Sequence, residues 1–136
     1  MILRKLKSLL CLSATGLACS LVGSSPPRSL PDRDPDLAWR LVHEEHALLL
    51  DVRSPEEFAA GHIPGAVNIN ITELPDRLEG VDKLTKGDKN HPIVVYCRSG
   101  RRAAHAKDLL LDHGYLRVTN LGGVTDWPGP LEGANR

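Results

Sequence analysis

An α/β fold is what this sequence predicts: an open, mostly parallel sheet of about four to five strands with helices on both faces. Two patterns carry the prediction. Apolar runs too continuous for a one-sided sheet, such as Ala47-Leu48-Leu49-Leu50 and Pro92-Ile93-Val94-Val95-Tyr96, alternate with segments whose apolar residues recur at helical spacing. Each change of period is marked by Pro, Gly or an N-capping residue. Strands alternating with helices imply parallel crossovers, and both faces of such a sheet must be covered.

Taken in order, Pro35 suits a first helical position, and Leu37, Leu41 and Val42 supply the apolar stripe of a first helix. Residues 47–53 form the first strand. Ser54-Pro55-Glu56-Glu57-Phe58 combines an N-cap, a first-turn proline and early acids, hence a short helix. Gly61–Gly65 is a turn and Ala66–Ile69 the second strand. Thr72–Leu84 predicts one or two short helices, broken by Pro75 and Gly80. Ile93–Tyr96 is the third strand, and Arg101–His113 a longer helix packing through Ala104, Leu109, Leu110 and Leu111 and closed by Gly114. Leu116–Leu121 is the fourth strand. Gly122–Pro128 follows as a turn and a last helical turn.

Ahead of this body lie two segments of different character. Residues 1–24 read as an export signal: Met1–Lys7 is basic, and Ser8–Gly23 is apolar or small but short for a membrane span. Val22-Gly23-Ser24 offers small residues before a cut. Leu17-Ala18-Cys19-Ser20 resembles a bacterial lipoprotein box, although Gly16 stands where Leu or Val is usual. Cleavage and a periplasmic or secreted destination are expected. Anchoring through a lipidated Cys19, or through an uncleaved leader, is the alternative. Residues 25–34, rich in Pro, Ser and charge, read as an extended, mobile linker. The folded domain is expected at 35–130, with residues 131–136 as a tail.

At 136 residues the chain holds one core, and its formal net charge is zero. The first 24 residues carry three basic groups and no acid, so residues 25–136 stand at −3. A mildly acidic body with few aromatics argues against nucleic-acid binding. Cys11 and Cys19 fall in the leader, which leaves Cys97 alone in the mature domain and excludes an internal disulfide there.

Cys97 sits where a strand gives way to a helix, in Tyr96-Cys97-Arg98-Ser99-Gly100-Arg101-Arg102. A cysteine at such a junction can place its sulfur over backbone N–H groups and a helix dipole, which favour thiolate and bound oxyanions alike. Arg98, Arg101 and Arg102 push the same way, toward a reactive thiol and away from a buried, inert one. Ligands of parallel sheets bind beyond the carboxyl ends of the strands, where Cys97 is expected.

These residues resemble the single-domain rhodanese family from about Pro35 to Trp127. The matching blocks are Leu50–Phe58, Gly61–Ile69, Tyr96–Arg102, Gly114-Tyr115 and Leu121–Trp127, and the leader makes the chain similar to the exported phage shock protein E type. In one departure, the Pro-rich segment occupies the place where larger relatives often have a short edge strand. The resemblance implies a thiosulfate sulfurtransferase with no metal or organic cofactor. Cys97 would be the nucleophile and sulfur carrier, passing sulfur from a small-molecule donor to a thiophilic acceptor, cyanide in vitro. Backbone N–H groups of Arg98, Ser99, Gly100, Arg101 and Arg102 would cradle the anion. Arg98 and Arg102 would add side-chain contacts, with Arg101 facing solvent.

Two other readings stand beside it. A phosphatase or arsenate reductase places an arginine after five intervening residues, but that position is Ala103, and Tyr96 replaces the histidine that precedes the cysteine in tyrosine phosphatases. A non-catalytic module that binds a partner protein would usually lack the cysteine or the loop arginines. The remaining polar residues point to structure. His43-Glu44-Glu45-His46 has the wrong spacing for a zinc helix. His62 reads as a hydrogen-bonding turn residue, His105 and His113 as helix surface. Asp51 and Arg53 read as a hydrogen-bond and ion-pair network with Glu57 or its neighbours beside Cys97, and Trp127 as core.

Overall fold

The computed structural model describes residues 29–133. The segment read above as an export signal, residues 25–28 of the expected linker and the last three residues lie outside the described residues. Helix α1 (Pro35–Glu45) precedes strand β1 (Leu48–Asp51), helix α2 (Pro55–Ala60) and strand β2 (Val67–Asn68). A 3-10 turn (Leu74–Asp76) and α3 (Leu78–Leu84) lead to β3 (Ile93–Cys97), α4 (Arg101–Asp112), β4 (Val118–Gly123) and a final 3-10 turn (Val124–Asp126). The four strands run parallel in the order β2-β1-β3-β4.

Period-two alternation along the buried strands builds a core on each face. On one face Ile93, Val95 and Cys97 join Leu50 and Val52 against Val81 of α3 and Ala103, Ala106 and Leu110 of α4. On the other, Val94 and Tyr96 join Leu49 and Leu121 against Ala38 and Leu41 of α1 and against Trp127. β3 is buried along its whole length, as its unbroken apolar run predicts.

The local punctuation works as read at most junctions. Asp34 caps α1, its carboxylate accepting the Leu37 N–H at 3.1 Å. Ser54 and Glu57 form a reciprocal capping box at α2. Gly114 takes a φ of 104° just after α4, where a side chain would be strained.

Several details differ from the sequence reading. Ala104, expected to pack, is exposed, and Ala103 and Ala106 are the alanines that α4 buries. α3 runs through Gly80, because one glycine costs only about 1 kcal/mol against burial of Val81 beneath the helix. β3 includes Cys97. β4 includes Gly122 and Gly123, which looked like a turn; a register shift between Val95 and Tyr96 lets the pair continue as Tyr96↔Gly122 and Cys97↔Gly123. Finally, residues 29–33 are pinned rather than loose. Ser29 Oγ donates to Val118 O (2.7 Å), Thr119 Oγ1 to Pro31 O (2.6 Å), Asn120 N to Asp32 Oδ1 (2.9 Å) and Arg33 N to Asn120 O (2.8 Å). This strap stands beside β4 where an edge strand would lie, so the described sheet has four strands and its outer edge is covered.

Candidate active site

β3 delivers Cys97 to the carboxyl edge of the sheet, and the chain turns through Arg98, Ser99 and Gly100 into α4. The turn needs Gly100, whose φ is 100°. The Gly100 N–H donates to Cys97 Sγ at 2.9 Å. The next N–H groups, at the start of α4, have no carbonyl a turn earlier within the helix and carry the positive end of its dipole.

Cys97 is 1% exposed, which corrects the expectation of an exposed thiol. The sulfur lies under the loop it begins. Arg98, Ser99 and Arg101 are exposed above it, and Gly100 is buried. Gly123 presses from the side: a Cβ there would overlap the Arg98 carbonyl oxygen. Two neighbouring strand ends thus meet the loop backbone directly.

Arg102, expected to contact an oxyanion, is paired across the site with Glu57. Its Nη1 donates to Oε1 at 2.8 Å and its Nη2 to Oε2 at 3.1 Å. Those bonds, with the Ser54 N–H, outweigh burial and pull the Glu57 carboxyl down to about 2, while the Arg102 guanidinium is raised. The pair joins the first turn of α2 to the first turn of α4.

Behind the loop Asp51 and Arg53 form the network the sequence suggested, though Arg53 bonds Asp51 and not Glu57. Arg53 Nη2 reaches Asp51 Oδ2 at 2.6 Å and the Gly61 carbonyl at 2.7 Å. Arg53 also lies 5.5 Å from the centroid of the Tyr96 ring, whose hydroxyl accepts the Ile63 N–H at 3.1 Å. Burial holds that hydroxyl far above its ordinary range, so Tyr96 stays protonated. Both Asp51 carboxylate oxygens are taken up by Arg53: Oδ1 accepts its backbone N–H and Nε, and Oδ2 accepts Nη2.

Arg33 is the site residue that sequence reasoning missed. Its Nη2 donates to Ser99 O at 2.9 Å, and its guanidinium covers Gly100 and Gly122. Nothing local marks it, since it stands in a Pro-rich segment 66 residues before Ser99. Asn120, also missed, donates from Nδ2 to Gly100 O at 3.0 Å and accepts the Gly122 N–H on Oδ1 at 2.8 Å. The other polar residues stay apart from the loop. His43 bonds Trp39 O, Glu45 pairs with Arg117, His46 ends α1, and His62 bonds Phe58 O while stacking on the Phe58 ring. His113 bonds Asp82 at the opposite end of α4. Trp127 is core, tilted against Trp39.

A four-stranded parallel sheet carrying a cysteine loop on its carboxyl edge, closed by a helix N-terminus, defines a single-domain protein of rhodanese type. Residues 34–129 match the rhodanese-like domain family, and the chain belongs to that family. It is similar to the thiosulfate sulfurtransferase PspE of Escherichia coli, 39% identical over 57% of this chain and 70% of that one. A sulfurtransferase of Allochromatium vinosum is also 39% identical, over 67% of this chain and 80% of its relative. Among solved structures, a rhodanese with anions from E. coli is 36% identical with a TM-score of 0.56, covering 62% of this chain and 95% of that one. The human single-domain sulfurtransferase TSTD1 is 33% identical with the same TM-score of 0.56, covering 76% and 96%.

Proposed function

We propose that this protein is a sulfurtransferase of the thiosulfate type, working through a persulfide on Cys97. The observation that carries the reading is the Cys97 sulfur at the start of α4, held at 2.9 Å by the Gly100 N–H inside a short cationic loop. Its relatives support the class, being named sulfurtransferases and thiosulfate sulfurtransferases. A structural neighbour described as a rhodanese with anions supports an anionic donor.

In the first half-reaction the Cys97 thiolate attacks the outer sulfur of thiosulfate. The new S–S bond forms as the sulfur–sulfur bond of thiosulfate breaks, and sulfite leaves with that electron pair. In the second, a nucleophilic acceptor takes the outer sulfur and Cys97 returns as thiolate; with cyanide the product is thiocyanate. Loop N–H groups of residues 98–102 stabilise the negative charge on the donor and on the persulfide. Exposed Arg98 and Arg101 add positive potential at the mouth, whereas Arg102 is partly neutralised by Glu57. Ala103 is fully buried and carries only a methyl group where a phosphate-encircling loop would need its arginine.

The reading extends to location. The basic Met1–Lys7 and apolar Ser8–Gly23 support export to the periplasm or beyond, with lipid attachment at Cys19 as the alternative route.

Intact-mass spectrometry of the protein recovered from producing cells tests both parts. The mature mass reports cleavage near residue 24 or lipidation. Incubation with thiosulfate should add one sulfur atom, and cyanide should remove it with release of thiocyanate. Cys97→Ser should retain the fold and lose the sulfur gain and all turnover. Retained turnover in that variant refutes the assignment.

A further inference from the structure

We propose that Arg33, in the strap ahead of α1, is a positioning residue for the sulfur-transfer loop: by holding the Ser99 carbonyl it keeps the Gly100 N–H on Cys97 Sγ. The inference rests on the reading of Cys97 given above, and it concerns a residue just outside the matched family region of 34–129.

The argument turns on one peptide unit. Ser99 O and Gly100 N–H belong to the same planar group and point in opposite directions across it. The oxygen accepts Arg33 Nη2 at 2.9 Å, and the hydrogen is directed at Cys97 Sγ, 2.9 Å from the nitrogen. The plane is therefore held from both sides. Without the outer contact it is easily turned, because Gly100 sits at a φ of 100° and lacks the Cβ that would restrict it. A rotated plane withdraws the N–H from the sulfur. A cation on the oxygen also polarises the amide, making its N–H a stronger donor to a thiolate or persulfide.

Three further features fit a brace. A Cβ at Gly100 would fall on the Arg33 guanidinium, and one at Gly122 would lie 2.8 Å from Arg33 Nη1, so both glycines leave room for it. Arg33 itself holds a left-handed φ of 57°, uncommon for a residue with a side chain. That geometry is secured by its N–H on Asn120 O, and the Asn120 side chain in turn holds Gly100 O. Lys107 of α4 fixes the strap a second time, through Leu30 O and Asp32.

The test compares Arg33→Met, Arg33→Lys and Lys107→Ala with the parent protein. Alkylation by iodoacetamide is followed against pH on the Cys97 peptide by mass spectrometry, which separates it from Cys11 and Cys19. With Arg33→Met the profile should move toward alkaline pH, so that on its rising limb the rate falls about three- to ten-fold, as for partial loss of a hydrogen bond to a charged group. Arg33→Lys should recover part of that loss. Lys107→Ala, which loosens the strap but keeps the Arg33 contact to the Ser99 carbonyl, should reproduce only a minor part of the shift. In thiosulfate turnover Arg33→Met should lower kcat more than it raises KM. An unmoved profile in a folded Arg33→Met protein overturns the proposal, as does Lys107→Ala reproducing its whole effect. Because alkylation needs no sulfur donor, a parent protein that gains no sulfur refutes the transferase reading separately and leaves the brace to the alkylation result.

Discussion

Cys97 would pass for an ordinary buried thiol if exposure alone were measured. Its setting differs through backbone contacts made by glycines and asparagine, residues chosen for room and reach. Gly123 illustrates the constraint: its φ of −106° is open to any residue, yet a Cβ would overlap the Arg98 carbonyl. Gly123→Ala must therefore push the loop or the end of β4 aside, at a cost of about 1–3 kcal/mol for overpacking. We expect thiosulfate turnover to fall at least about ten-fold, since a misplaced reacting group loses much of its rate advantage. Thermal melting combined with steady-state kinetics checks both effects, and unchanged kinetics would show that the loop tolerates displacement. At this scale the cysteine was legible in the sequence because its neighbours in sequence define it. Arg33 and Asn120 were not, since their roles depend on contacts 66 and 20 residues away.

Between elements, the same limit separates what local pattern reveals from what assembly adds. The N-cap, first-turn proline and early acids of α2 are written in four consecutive residues, Ser54-Pro55-Glu56-Glu57, and the structure adds that Glu57 closes a capping box with Ser54. The use of Glu57 by Arg102 spans 45 residues and ties two helix N-termini across the carboxyl edge of the sheet. Each N-terminus carries positive dipole charge, so an acid shared between them is well placed. The pair is about one-third exposed, which limits it to about 1 kcal/mol. Glu57→Gln and Arg102→Ala should each lose that amount at pH 7, and the double variant should lose little more than either single one. The pH dependence has a definite sign. The folded carboxyl lies near 2, below its unfolded value of about 4.3, so the contribution is complete above the unfolded value and disappears as pH falls toward 2. Urea unfolding of the four proteins at several pH values should converge in acid. A gap that persists at pH 2 would mean that packing of the Arg102 stem, and not the charge, is what the variants remove.

Among the described residues, two polar networks lie at opposite ends of α4, one beside the cysteine loop and one around Asp82. Continuous apolar strands and helical spacing made the α/β class legible, because they repeat throughout the chain. They say nothing of the second network, where five unremarkable residues from three segments converge. Asp82 accepts the Tyr115 hydroxyl at 2.6 Å, Lys89 Nζ at 2.9 Å and His113 Nε2 at 2.9 Å, and Thr85 Oγ1 lies 2.7 Å from the Tyr115 oxygen. Tyr115 is 1% exposed, and burial followed by the Asp82 carboxylate pushes its hydroxyl up to about 12, so it remains a donor across the working range. The Asp82 carboxyl is held well below its ordinary range, first by that hydroxyl and then by His113 and Lys89. Its contribution is therefore present at neutral pH and is lost only as pH drops below the usual carboxylate range. Tyr115→Phe should cost about 1–2 kcal/mol by leaving Asp82 and Thr85 short of a partner. In a domain of this size that lowers the melting temperature by roughly 4–16 °C. Because the cluster closes the C-terminal end of α4 while Cys97 lies at its start, sulfur loading at 25 °C should match the parent protein. Melting curves and intact-mass loading on the same samples decide the matter. Lost stability with full loading identifies the Asp82 network as a clamp on the fold alone, whereas a parallel loss of loading would mean that strain at Asp82 travels along α4 to the Gly100 turn.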